Sequence, residues 1–135
     1  MDQSRKTYFD HEKLQVYQEA IAFIAWLTPI LEGLERAGDV RDQLDRGSTS
    51  IPLNIAEGNG KYSLRDRFFD TANGSTLECA AGLDILVAKG KLTFDQIAPG
   101  KERLSGIARM LVGLLKTITN RDYEKGPRRT DQGGE

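Results

Sequence analysis

The chain has 135 residues, 19 Lys and Arg against 20 Asp and Glu, a formal net charge of −1 and 39% hydrophobic residues. Such a length suits one domain that hides roughly 65–70% of its unfolded surface, and no apolar run approaches the ~18 residues of a membrane span. A single cysteine, Cys79, and a single histidine, His11, exclude an internal disulfide and a Cys/His zinc cluster. The opening MDQSRKTYFDHEK has neither an apolar stretch nor a small-residue cleavage site, so the reading is a cytoplasmic protein with no cofactor and no membrane contact.

Helical periodicity runs from Asp10 to about Asn120. In the first segment one apolar row is Leu14, Tyr17, Ile21, Ile24 and Leu31, and a second is Val16, Ala20, Phe23, Leu27, Ile30 and Leu34. Two adjacent rows at three- and four-residue spacing make a wide buried face. Asp10 suits an N-cap, Pro29 predicts a kink or break near Thr28, and Ala37-Gly38-Asp39 reads as the connection.

The second segment spans about Val40 to Glu57, with Leu44, Ser48, Ile51 and Ile55 inward and Gly58-Asn59-Gly60 as its terminator. Pro52 predicts a kink, with Ser48 and Thr49 hydroxyls taking up the freed carbonyl. The third opens at Ser63 as N-cap and ends near Lys89, before Gly90. Its seam is Leu64, Phe68, Ala72, Ser75, Cys79, Gly82 and Leu86, small enough in the middle for a neighbour to approach closely. The fourth starts near Asp95, is offset by Pro99-Gly100, and carries Leu104, Ile107, Ala108, Leu111, Leu114, Leu115 and Ile118. Four amphipathic helices on short links predict an all-α, up-down-up-down four-helix bundle over residues 10–120. Residues 1–9 are expected as an N-terminal arm and residues 121–135 as a flexible C-terminal tail.

A polar row, Arg46, Ser50, Asn54 and Glu57, runs along the second helix and meets Ser75 and Glu78 on the third. The expected arrangement is a structural network in which Arg46 neutralises the carboxylates. The alternative, a Glu57–Glu78 pair for metal or acid–base chemistry, lacks the Glu-x-x-His pairs of di-metal bundles. Ser50 and Cys79 have no histidine nearby in sequence, so no catalytic residue is assigned and no enzyme is expected. Residues 91–119 carry a net charge of +3, and Lys101, Arg103, Arg109 and Lys116 are the candidate nucleic-acid contacts.

The run Gln43-x-x-Arg46-x-x-x-Ser50-Ile51-Pro52-x-Asn54-Ile55-Ala56-Glu57-Gly58-x-Gly60 resembles the central signature of the four-helix-bundle proteins encoded in bacterial 23S rRNA intervening sequences. Phe69, Ala72, Gly74-Ser75 and Glu78 resemble its second signature. Leu14-x-Val16-Tyr17-x-x-Ala20 resembles its opening, and Arg109-Met110-Leu111-x-x-Leu114 its last helix. The chain departs from the family in its near-neutral charge and in Gly47, where alanine is common. The resemblance implies a cytosolic homopentameric ring without catalytic activity. A similar protein, the accessory variability determinant of diversity-generating retroelements, binds a reverse transcriptase and nucleic acid. The expected function is therefore a non-enzymatic, oligomeric RNA, DNA or ribonucleoprotein accessory factor. The alternative is a protein–protein scaffold that docks a partner at Trp26 and Phe69.

Overall fold

The computed structural model describes residues 5–34 and 38–124, with the backbone alone for Tyr62 and residues 119–124. Among them are four α-helices and no strand: α1 (Gln15–Gly33), α2 (Gly38–Gly60), α3 (Arg65–Ala88) and α4 (Phe94–Glu124). Each helix packs on two others in a closed square, α1 on α2, α2 on α3, α3 on α4 and α4 on α1. Short links join consecutive neighbours, so the helices alternate in direction and the bundle is all-α and up-down-up-down, as the periodicity predicts. At ~1.5 Å per residue, α4 alone runs about 46 Å.

The core forms where the apolar rows face inward. Val16, Ala20, Phe23, Leu27 and Leu31 of α1 meet Leu44, Ile51 and Ile55 of α2, and Phe69, Ala72, Cys79, Leu83 and Leu86 of α3. Ile97, Leu104, Ile107 and Leu111 of α4 complete it. Of the two α1 rows, the one containing Val16 and Phe23 points to the centre, and the Tyr17–Ile21–Ile24 row is half-buried at its edge. The α3 seam is rotated from the expected one. Phe69, Thr76 and Leu83 are buried, whereas Leu64 is 39% exposed.

Antiparallel register between α2 and α3 is set by close contacts. Leu44 lies against Gly82, Gly47 against Cys79, and Gly58 against Phe69. A Cβ on Gly47 would stand 3.1 Å from Cys79 Sγ, and one on Gly82 would stand 3.0 Å from Leu44. The glycine at position 47 thus brings the two helices closer than alanine would.

Several helix ends differ from the sequence expectation. Asp10 is not the N-cap of α1: residues Asp10–Lys13 form a separate 3-10 turn, and Leu14 is extended before α1 begins. The cause is Glu12, whose carboxylate accepts the amides of Tyr8 and Phe9 and closes the turn early. The Asp10 carboxylate is instead taken by Asn59 Nδ2 at 3.1 Å. α2 does end within Gly58-Asn59-Gly60, but it stays helical through Gly60 rather than stopping at Glu57, and no left-handed glycine closes it. Ser63 likewise falls within a 3-10 turn, Tyr62–Leu64, and caps nothing in α3.

Pro29, Pro52 and Pro99 all sit inside continuous helices. The Ser48 and Thr49 hydroxyls both return to the Asp45 carbonyl, not to the one Pro52 frees. Gly90 ends α3 as expected. It takes φ +75°, while Gly90 N–H bonds Val87 O and Lys91 N–H bonds Leu86 O, which is the Schellman closure. Three residues on, Thr93 and Gln96 exchange backbone and side-chain hydrogen bonds of 2.8 and 3.1 Å, a capping box that starts α4. At its far end α4 passes Asn120 and runs to Glu124, four residues into the segment expected as tail. Residues 125–135 lie outside the described residues.

Gly58 offers a sharp test of the α2–α3 seam, because a Cβ there would come within 2.8 Å of the Phe69 ring. Gly58→Ala is expected to cost about 1–3 kcal/mol in urea unfolding through overpacking, with partial recovery in combination with Phe69→Leu. Gly74→Ala, where nothing lies within 4 Å, should instead stabilise by about 0.5–1 kcal/mol.

Candidate functional site

Only the middle of the expected polar network assembles. Asn54 Nδ2 donates to the Ser50 carbonyl and hydroxyl, each at 2.9 Å, and Ser75 Oγ donates to Ser50 Oγ at 2.9 Å across the α2–α3 seam. Arg46, Glu57 and Glu78 are exposed and outside it. At about 100° per residue, Arg46 and Glu57 lie roughly 150–170° around α2 from the buried line. The seam takes in hydroxyls and an amide, and of the three charged side chains only Glu78 reaches its edge, with Oε1 3.5 Å from where a Cβ on Gly47 would stand. Glu57 pairs with Lys61 at 3.3 Å, and no ion pair joins Arg46 to either carboxylate among the described residues.

The same register overturns the paired-carboxylate alternative. Glu78 is level with Gly47, and Glu57 is ten residues further along α2, about 15 Å along the axis. No group of three or more metal-ligating side chains occurs among the described residues. His11 stacks against Phe9 and meets Tyr17 edge-on, with ring centroids at 5.8 and 4.7 Å. No helix of the described residues is long and apolar enough to cross a membrane.

The α4 cations do not form one basic strip. Lys101 turns towards α3 and bonds Asp84, and Arg103 turns towards α1 and bonds Glu19 at 2.8 Å. Arg109 donates to Ser105 Oγ at 2.8 Å, and Lys116 is exposed. Two of the four candidate contacts are therefore engaged with carboxylates on opposite flanks of the helix. Of the two residues expected to dock a partner, Phe69 is closed off in the core and Trp26 is half-buried. Phe69 is 2% exposed, and the Trp26 indole stacks on Phe23 and covers the α4 backbone at Gly100, where a Cβ would collide with it.

A different surface emerges between α3 and α4. Leu77, Ala108 and Val112 line a shallow groove flanked by Arg109 and Lys116. Leu77 is 58% and Val112 39% exposed. Asn73 also lines this groove, its Oδ1 buried and without a hydrogen-bond donor among the described residues. Further along the outer face of α3 lie Ala81 and Ile85, the latter 40% exposed. The four-residue spacing of Leu77, Ala81 and Ile85 was the sequence signal for this strip, because it forms a second apolar row on a helix that already has an inward one.

Cys79 sits inside the α2–α3 seam. Burial, with the neighbouring Glu78 carboxylate as a second cause, pushes its thiol up to about 12 from the ordinary 9.0. Such a thiol stays protonated and unreactive in the native state.

Ser50→Ala removes the hub of the three-residue network and should cost about 1 kcal/mol in urea unfolding, whereas Arg46→Ala should stay within about 0.5 kcal/mol. Iodoacetamide should leave Cys79 unlabelled at about pH 8 until the chain unfolds. Because the folded pKa is raised, the associated stability is full below the unfolded value and is lost as pH rises from 9.0 towards about 12. Cys79→Ala should flatten that fall in an unfolding series across the window.

Comparison with known proteins agrees with this architecture. The crystal structure of a protein of unknown function from the S23 ribosomal protein family of Bacteroides thetaiotaomicron is similar, with a TM-score of 0.70. It is 18% identical in sequence, over 75% of this chain and 98% of that one, so the likeness is one of fold. No curated protein matches the chain in sequence. Residues 12–113 match the family described as 23S rRNA-intervening sequence protein, and over that span, which is most of its length, the chain belongs to this family.

Proposed function

We propose that the chain is a non-catalytic scaffold that assembles into a homo-oligomeric ring through the outer face of α3 and the α3–α4 groove. The observation that carries this reading is the second apolar row on α3. Leu77 and Ile85 are 58% and 40% exposed, on a helix whose opposite side already fills the core. A helix that is apolar on two sides is expected to be covered on both.

A second copy is the occupant favoured by charge. The groove presents Leu77 and Val112 with Arg109 and Lys116 at its margins. On α2 the exposed residues include Asp39, Asp42, Asp45 and Glu57 against the single cation Arg46, together with Leu53, which is 61% exposed. One protomer thus carries a basic apolar face and an acidic apolar face. Contact between unlike faces is head-to-tail, and such contacts generate rings when the rotation closes. A second copy laid over the groove can also bring a donor to Asn73 Oδ1.

This assignment moves Arg109 and Lys116 from nucleic acid to protein contact. With Lys101 and Arg103 already paired, the α4 side chains described leave only Arg109 and Lys116 without a carboxylate, short of the run of cations that phosphate binding uses. The scaffold thus takes precedence over the nucleic-acid reading for this face. The ring expected from the family resemblance, five copies of the 15.0 kDa chain, has a mass of about 75 kDa.

Light scattering on a sizing column tests the proposal. The wild-type chain should elute as one oligomer near 75 kDa. Leu77→Glu with Ile85→Glu should release folded protomers of 15.0 kDa. A wild-type monomer at micromolar concentration, or an oligomer indifferent to both substitutions, would remove α3 from the assembly.

A further inference from the structure

We infer that the turn ahead of α1 is a stacking platform for single-stranded nucleic acid, with Tyr8 and Phe9 as the base-stacking rings and Arg5, Lys6 and Lys13 as the phosphate contacts. The inference does not depend on ring assembly, because these residues are on the N-terminal arm and not on the outer face of α3.

The first observation is that two aromatic rings are held in solvent by a well-anchored backbone. Tyr8 is 76% and Phe9 67% exposed. Glu12 accepts the amides of both residues, at 3.3 and 3.0 Å. The turn is tied down further by Asp10 to Asn59 of α2 and by Gln18 Nε2 to the Glu12 carbonyl at 3.0 Å. These bonds fix the backbone from which the rings project, so less freedom is lost when a ligand is bound.

The second observation is the chemistry between the rings. Residues 5–13 read Arg-Lys-Thr-Tyr-Phe-Asp-His-Glu-Lys, without one aliphatic hydrophobic side chain. Protein interfaces also use aromatic and Arg side chains, but seat them in a packed apolar core, and residues 5–13 supply no aliphatic neighbour to build one. Flat rings interleaved with cations match a base and its phosphate instead. The His11 ring already stacks on Phe9 with an interplanar angle of 13°, and Phe9 is still two-thirds exposed, so its other face is open to extend the stack. Lys6 Nζ lies over one face of the Tyr8 ring, 5.5 Å from its centre, which leaves the opposite face for a base with the cation on the far side.

The third observation concerns the carboxylates of the arm. Asp10 is engaged by Asn59, and Glu12 by the two amides. No ion pair is formed by Arg5, Lys6 or Lys13 among the described residues. The groups left to meet a ligand are therefore the cations and the rings.

Fluorescence anisotropy with a fluorescein-labelled oligo(U) of about 12 nucleotides in low salt tests the assignment. Wild-type protein should bind it, and Tyr8→Ala with Phe9→Ala should weaken binding by about tenfold or more. Phe9→Leu, which keeps apolar area but not the ring, should weaken binding too, and Phe9→Trp should restore it. Arg5→Ala with Lys6→Ala should lower the salt dependence. Absence of binding to the single strand would overturn the inference. Equal affinity for a duplex, or binding that survives Phe9→Leu, would do the same. Thermal melts of each variant separate loss of stacking from loss of fold, since both rings are outside the core. Light scattering on the same samples reports ring assembly independently, so either proposal can fail alone.

Discussion

The close approach of α2 to α3 governs the rest of this bundle. Gly58 sits under the Phe69 ring, Gly82 under Leu44 and Gly47 against Cys79, so the two backbones meet where ordinary side chains would hold them apart. Close-packed interiors tolerate little change in volume, and here the tolerance is smallest along one seam. Its narrowness decides which polar groups enter. Ser50, Asn54 and Ser75 fit as short hydrogen-bonding groups, while Arg46, Glu57 and Glu78 are displaced to the outside. It also seals Cys79 away from water, which is why that thiol holds its proton.

Much of the architecture was legible because helix periodicity is a local property. Leu44, Ser48, Ile51 and Ile55 were read as the inward line of α2, and all four are buried. The glycines show where such reading stops. Gly90 and Gly58 look alike in sequence, each following a helical pattern. Gly90 takes a left-handed φ and closes α3, but Gly58 stays helical because its role is set by Phe69 on another helix. What faces a glycine is tertiary information. The Thr93–Gln96 capping box, by contrast, is a local pattern, and it starts α4 at Phe94, one residue ahead of the expected Asp95.

The candidate site was less legible, for a related reason. Steps of three and four residues place Arg46 with Ser50 and Asn54, but they do not say which edge of that row meets a neighbour. Likewise, cations on one helix read as a patch until their partners are known. Asp84 and Glu19 come from different helices on opposite sides of α4 and divide Lys101 from Arg103. The α3 row of Leu77, Ala81 and Ile85 was present in the sequence, yet it acquires meaning only once Phe69, Thr76 and Leu83 are seen to fill the core from the other side.

The alternation of helix direction has a practical corollary for handling the molecule. The arm before α1 and the last turn of α4 emerge at one end of the bundle, together with the close of α2 at Asn59. The opposite end holds the close of α1, where Arg41 Nε caps the Leu31 carbonyl at 2.8 Å, and the α3–α4 turn at Gly90. In the latter turn Lys91 and Phe94 are fully in solvent reach. A fluorophore, an affinity handle or a surface tether fixed at Lys91 would thus stand a full bundle length from the aromatic arm. Attachment on the arm before α1 or on the last turn of α4 would instead crowd the end that carries the exposed rings.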